Sequence, residues 1–137
     1  MADTNSSQII QDGGRTAIIK VTTLIGAGTP PPGATVTVVD VSALAADPIS
    51  KRACTGVTLE KLTFASVGVA VKLEWDATAN VLLFDFPANW TEQYDFIDFG
   101  IPNNAGAGKT GDIVATSLPA AAGNTYTMIL TVQKLYA

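Results

Sequence analysis

The chain has 137 residues, 47% of them hydrophobic and only 15% charged, with a net charge of −4 and no histidine. That length suits one domain with a full core, and the acidic balance excludes a phosphate-backbone partner, which needs a basic stripe rather than eight scattered Lys and Arg. The missing histidine excludes Ser-His-Asp and Cys-His nucleophile systems, His-based zinc sites and histidine pH switches, and the lone Cys54 excludes an intrachain disulfide. The charged fraction is well below the roughly 25% typical of globular domains, so part of the surface is expected to be covered by neighbours. No apolar run approaches the ~18 residues of a membrane span, and the start, MADTNSSQ, has neither a basic n-region nor an apolar h-region, so the expected site of synthesis and use is a cytoplasm.

In chain order, residues 1–14 are polar and end in Asp12-Gly13-Gly14, which predicts a flexible N-terminal arm, with a short edge pairing at Gln8 to Gln11 as the alternative for part of it, and 15–137 as the folded domain. Arg15 to Ile25 alternates as a strand, with Ala17, Ile19, Val21, Thr23 and Ile25 on one face. The prolines of Gly26–Gly33 lack amide donors and force a loop there. Ala34 to Val41 predicts a second strand, and Ser42 to Ala46 one helical turn, with Ser42 as its cap and Pro48 stopping it. Thr58 to Ser66 reads as a strand. After Gly68 the clearest alternation places Val69, Val71, Leu73 and Trp75 inward. Asp76 to Asn80 is a turn, and the return strand Val81–Phe86 is expected to bring Leu82, Phe84 and Phe86 to one face of a hairpin. Tyr94–Phe99, Asp112–Ser117 and Tyr126–Tyr136 complete about eight short strands with no amphipathic helix of ordinary length. The expected fold is all-β, a single-domain antiparallel β-sandwich, jelly-roll-like or immunoglobulin-like.

Three sets of residues invite a chemical reading. The stretch NNAGAGKTGD (103–112) suggests a phosphate loop, but that motif needs glycine where Asn103 stands and a helix after Lys109, whereas Gly111 and the strand-like Asp112-Ile113-Val114-Ala115 follow. A flexible glycine-rich connection is the expectation. Asp85, Glu92, Asp95, Asp98 and Asp112 suggest a carboxylate pair or a Ca²⁺ site with Asn103 or Asn104, yet Asp95 and Asp98 fall on opposite faces of a strand and no EF-hand spacing occurs. Solvated edge carboxylates are the plainer reading, with no metal or other cofactor. Trp75 belongs to a core face, whereas Trp90 lies in a loop after Pro87 and with Tyr94 is a candidate partner or sugar contact.

The runs VDVSALAADP (39–48), GVTLEKLTFASVGVAVKLEWDATANVLLFDFP (56–87), YDFIDFG (94–100) and AGAGKTGDIVATS (105–117) resemble a group of small virion structural proteins of tailed bacteriophages. The resemblance covers about residues 39–134 and brings no catalytic residues with it. It implies a virion component, assembled in the host cytoplasm and lying on the capsid surface as a decoration or cement protein. The implied partners are the major capsid protein and further copies of the chain, a trimer at a local threefold axis being the expected oligomer. Trp90, Tyr94, Lys109 and Pro31 are the candidate contacts, Lys109 toward an acidic capsid neighbour. The Pro-rich loop and the polar arm depart from the group's pattern. A tail or neck component and a carbohydrate-binding module are the alternative readings; an enzyme ranks last, for want of histidine and of a credible nucleophile or metal set.

Overall fold

In a computed structural model of the chain, the described residues are 4–24, 35–96, 98–117 and 123–136. They form two antiparallel sheets. The larger contains β1 (Thr4–Asp12), β2 (Thr16–Leu24), β9 (Thr125–Tyr136), β4 (Cys54–Val67) and β7 (Thr91–Asp95), side by side in that order. The smaller contains β3 (Thr35–Val39), β8 (Ile113–Ser117), β5 (Val71–Trp75) and β6 (Val81–Phe86). The short β4–β5 and β6–β7 connections each pass from one sheet to the other. The inner faces meet in one apolar core, where the rings of Phe64 on β4 and Phe86 on β6 stack with centroids 4.1 Å apart. The expected all-β sandwich is therefore the observed architecture.

Strict period-two sequence produces strict period-two burial. On β2, Ala17, Ile19, Val21 and Thr23 are buried, and on β9 Tyr126, Met128, Leu130 and Val132. Val71, Leu73 and Trp75 on β5 are buried as expected, Trp75 being among the largest fully enclosed side chains. Enclosing a side chain of this kind contributes about 1.5–3 kcal/mol.

Five expectations are corrected. Thr4–Asp12 is a nine-residue edge strand paired with β2 rather than a loose arm, held also by the buried Thr23 hydroxyl, which donates to Asn5 Oδ1 at 2.8 Å. With it the strands among the described residues number nine. The turn near residue 42 is a 3₁₀ turn, Val41–Ala43, whose cap is Asp40 rather than Ser42; the Asp40 carboxylate accepts from the Ser42 amide at 3.0 Å. On β6 the register shifts opposite Leu73 and Glu74, leaving Leu83 unpaired as a bulge, so Leu82 turns outward and is exposed while Phe84 and Phe86 stay on the core side. The strand expected at Tyr94–Phe99 lies instead at Thr91–Asp95. Beyond it the chain turns, with the Phe99 and Gly100 amides both donating to the Phe96 carbonyl and Gly100 at φ 68°, a left-handed conformation that suits glycine.

The fifth correction concerns the glycine-rich loop, described below. The Gly26–Gly33 segment, with Pro31, lies outside the described residues.

Candidate functional site: an edge, a seam and a cleft

The sandwich offers three surface features, each fixed by local sequence. The first is the edge strand β1. From Thr4 to Gln11 it carries no charge and no proline, and Ile9 and Ile10 are exposed. Its single irregularity is a bulge at Ile10, where the register against β2 slips between Ile9 and Gln11. The bulge turns Asp12 inward, opposite Ala17, where it meets Lys134 of β9 at 2.6 Å. Lys134 continues the inward series Tyr126-Met128-Leu130-Val132, and its side chain is fully enclosed, while that of Asp12 is 21% exposed.

The ammonium also donates to the Gly13 carbonyl at 3.0 Å, and the second Asp12 oxygen accepts from the Ala45 amide at 2.8 Å. The Tyr136 hydroxyl donates to the Gly14 carbonyl at 2.6 Å. The turn expected to end a loose arm is thus clamped to the far end of β9. Burial alone would push the Asp12 carboxyl up, but the Lys134 hydrogen bond, the Ala45 amide and the Lys134 charge together hold it below the ordinary carboxylate value. Burial alone would likewise depress the Lys134 ammonium, but the Asp12 carboxylate and the Tyr136 hydroxyl raise it above the ordinary lysine value.

The second feature is the seam where β7, at one edge of the larger sheet, faces β6, at one edge of the smaller. Tyr94 stands opposite the buried Leu62 and Glu92 opposite Phe64, so the even positions of β7 point toward the smaller sheet. Tyr94, Phe84 and Phe96 form a three-ring cluster, with centroids 5.4 Å (Tyr94–Phe84), 6.0 Å (Tyr94–Phe96) and 5.8 Å (Phe84–Phe96) apart, and Phe96 meets the exposed Phe99 at 6.1 Å. Trp90 joins this cluster. Its backbone pairs with Ser66 of β4, which carries the pairing one step beyond β7, and its indole Nε1 donates to the Tyr94 hydroxyl at 3.2 Å. The indole is 39% exposed. The structure therefore brings Trp90 and Tyr94 together. Their spacing of four in an extended segment was the available signal, and it required reading Trp90 as part of the strand rather than of a loop.

The third feature is a cleft of about 370 Å³ at the opposite end of β4, lined by Thr55, Val57, Pro102, Asn103, Lys109 and Leu135 among others. Here NNAGAGKTGD runs as a structured connection into β8 with no helix after Lys109. The Thr110 hydroxyl donates to the Asp76 carboxylate at 2.8 Å, the Thr78 amide donates to the Ala107 carbonyl at 3.3 Å, and the Asn103 side chain accepts from the Ala105 amide at 2.8 Å. Gly111, at φ 87°, packs so closely on β4 that an added Cβ would collide with the Thr55 carbonyl. The loop is pinned, contrary to the expected flexibility, and amides that a phosphate cradle would use are already donated, Lys109 to the Gly106 carbonyl and Thr110 to the Asp76 carbonyl. Lys109 is exposed at the cleft, remote from the Trp90 seam.

The acidic residues do not gather into a ligand set. Asp95 stands across from Lys61 and Asp85 across from Lys72. Asp112, whose carboxylate accepts from the Val41 amide at 2.9 Å, is pushed up by burial and, more weakly, by the neighbouring Asp40 and Asp76 charges. Among the described residues no group of three or more His, Cys, Asp or Glu side chains is arranged to hold a metal ion. No helix among them is long and apolar enough to cross a membrane. No protein-family model matches the chain, and no curated protein matches it.

Proposed function

We propose that the chain is a structural component of a tailed-phage virion, of the capsid decoration or cement type, which binds the outer surface of the head and holds neighbouring major capsid subunits together. The observation that carries an assembly role is β1. The bulge at Ile10 and the inward Asp12 protect only the far end of this edge strand; from Thr4 to Ile9 it is regular and uncharged, with neither lysine nor proline to keep it from pairing. In a shell such an edge gains a neighbour, and many weak contacts of this kind add through multivalency. The runs that resemble virion proteins fall on the 3₁₀ turn, on β4 to β6, on the β7 turn and on the pinned loop before β8.

The test is co-sedimentation of the purified protein with heads that lack it. Saturable binding is expected, with heads surviving several degrees more heating, and Ser7→Pro is expected to abolish the binding by removing an edge amide. Heads that neither bind the protein nor contain it when mature would overturn the proposal. A map of the whole particle separates the head from a tail or neck position.

The Trp90–Tyr94 pair favours a second reading, a carbohydrate-binding module, because the exposed Trp90, bonded to the half-buried Tyr94, offers stacking surface to a sugar ring. On that reading a glycan array gives a signal that Trp90→Ala abolishes. On the assembly reading the array stays blank, and any effect of Trp90→Ala is on head binding.

A further inference from the structure

The two sheets present outer faces of different chemistry. The smaller sheet shows Lys72, Glu74 and Asp85, as a solvated face does. The larger sheet is nearly neutral. Its cross-strand rows can be read from the register: one runs Ser6, Thr22, Thr127, Ala65, Thr91 from β1 to β7, and the next runs Gln8, Lys20, Ile129, Thr63, Gln93. The row after that adds Ile18 and Thr131 and ends in Lys61 opposite Asp95, so its two charges already face each other. Only Lys20 stands in these rows without an acidic residue across from it. Threonine and isoleucine give short, branched, methyl-bearing relief of even height, the relief that allows one sheet to stack on another at about 10 Å.

From these features we infer that the outer face of the five-stranded sheet is a self-association surface, on which a second copy of this chain packs face to face about a twofold axis. The area supports that occupant. Five strands about 4.8 Å apart, over nine residues rising about 3.4 Å each, give roughly 600 Å² in plan before side-chain relief is counted, close to the ~800 Å² of accessible surface per partner in a standard stable interface. A neutral face is also self-compatible. The charges here, Lys20 and the facing Lys61 and Asp95, with Glu60 unpaired at the β4 register shift beside them, sum to zero, and a second copy needs no net charge to match. The inference does not depend on the virion reading, since it concerns the purified protein alone.

Sedimentation equilibrium and light scattering over a concentration series test it. The wild-type chain is expected to run as a dimer. Ile129→Lys and Thr127→Glu, at the centre of the face on β9, are each expected to weaken the dimer at least tenfold while leaving the far-ultraviolet circular dichroism unchanged. Thr37→Lys, at an exposed position of the smaller sheet, is expected to leave the dimer intact. The proposal is overturned by a monomer throughout the series, by a dimer that survives both β9 substitutions, by a trimer, or by a dimer abolished through Ser7→Pro with both β9 variants still dimeric. The last result would assign association to the β1 edge. Because the two β9 variants introduce opposite charges, loss in both cannot be a peculiarity of one new ion pair.

Discussion

Replacing Lys134 by alanine is expected to lower the stability of the domain by about 3 kcal/mol, seen as a fall in melting temperature of roughly 10 °C. The side chain is fully enclosed, and its ammonium is bonded to Asp12 and to the Gly13 carbonyl. Removing it leaves a largely enclosed carboxylate with only the Ala45 amide as partner. Removing a single partner of such a pair costs more than removing both, because the survivor keeps its desolvation penalty and loses its compensation. Asp12→Ala is therefore expected to be at least as damaging, since the stranded ammonium has no solvent at all, and the double variant Asp12→Leu with Lys134→Met is expected to recover most of the loss. Urea unfolding of the wild type, Asp12→Leu, Lys134→Met and the double variant supplies the cycle, and strictly additive losses would refute the coupling.

The same pair sets a pH signature. The Asp12 carboxyl is held below its ordinary value in the folded state, so its contribution is fully present above the ordinary carboxylate range near 3.9 and is lost as pH falls through the lowered folded value. The Lys134 ammonium is held above its ordinary value, so its contribution is fully present below about 10.4 and is lost as pH rises through the raised one. Stability lost through Asp12→Asn should therefore be constant across the neutral range and shrink on acidification. Asp112 works the other way: its value is raised, so protonation on acidification favours the folded state and offsets part of the acid loss.

How much of this was legible follows from where each signal lies. The inward faces of β2, β5 and β9 were readable because each alternates without interruption, and alternation is a property of neighbours in sequence. β6 was misread at Leu82 because Val81-Leu82-Leu83-Phe84 is apolar throughout: with no polar residue to mark a face, one bulged residue changes the facing unseen. Of β1 only a short pairing at Gln8 to Gln11 is readable, because the polar Thr4–Ser7 gives no apolar alternation, and what holds the segment is backbone pairing and a clamp. The clamp joins residues 122 apart in sequence, and a lysine near the end of a strand reads as solvated until its partner is in place. Trp90 and Tyr94 are a joint candidate in the sequence, but with Trp90 read as part of a loop. Their contact emerged once the β4 register carried Trp90 into line with the strand.

Within NNAGAGKTGD, Gly111→Ala is expected to destabilise by about 2–4 kcal/mol, and Gly106→Ala to be neutral or slightly stabilising. Gly111 combines two penalties. Its left-handed φ of 87° costs an L-residue about 1 kcal/mol or more, and its new Cβ would meet the Thr55 carbonyl, a backbone atom of β4 that cannot swing aside as a side chain does. Relief requires the loop to lift away from β4, which strains the bonds that hold it: the Asp76 amide to the Asp112 carbonyl at 3.0 Å and the Thr110 amide to the Asp76 carbonyl at 3.1 Å. Gly106 has nothing within 4 Å of the position an added Cβ would take, and its φ is not in the left-handed range, so alanine there mainly reduces the freedom of the unfolded chain. Thermal unfolding of the two variants separates a pinned loop from a merely glycine-rich one: equal, small effects would restore the flexible connection. A large effect at Gly111 alone assigns that glycine to close packing on β4, with Lys109 left exposed beside the cleft.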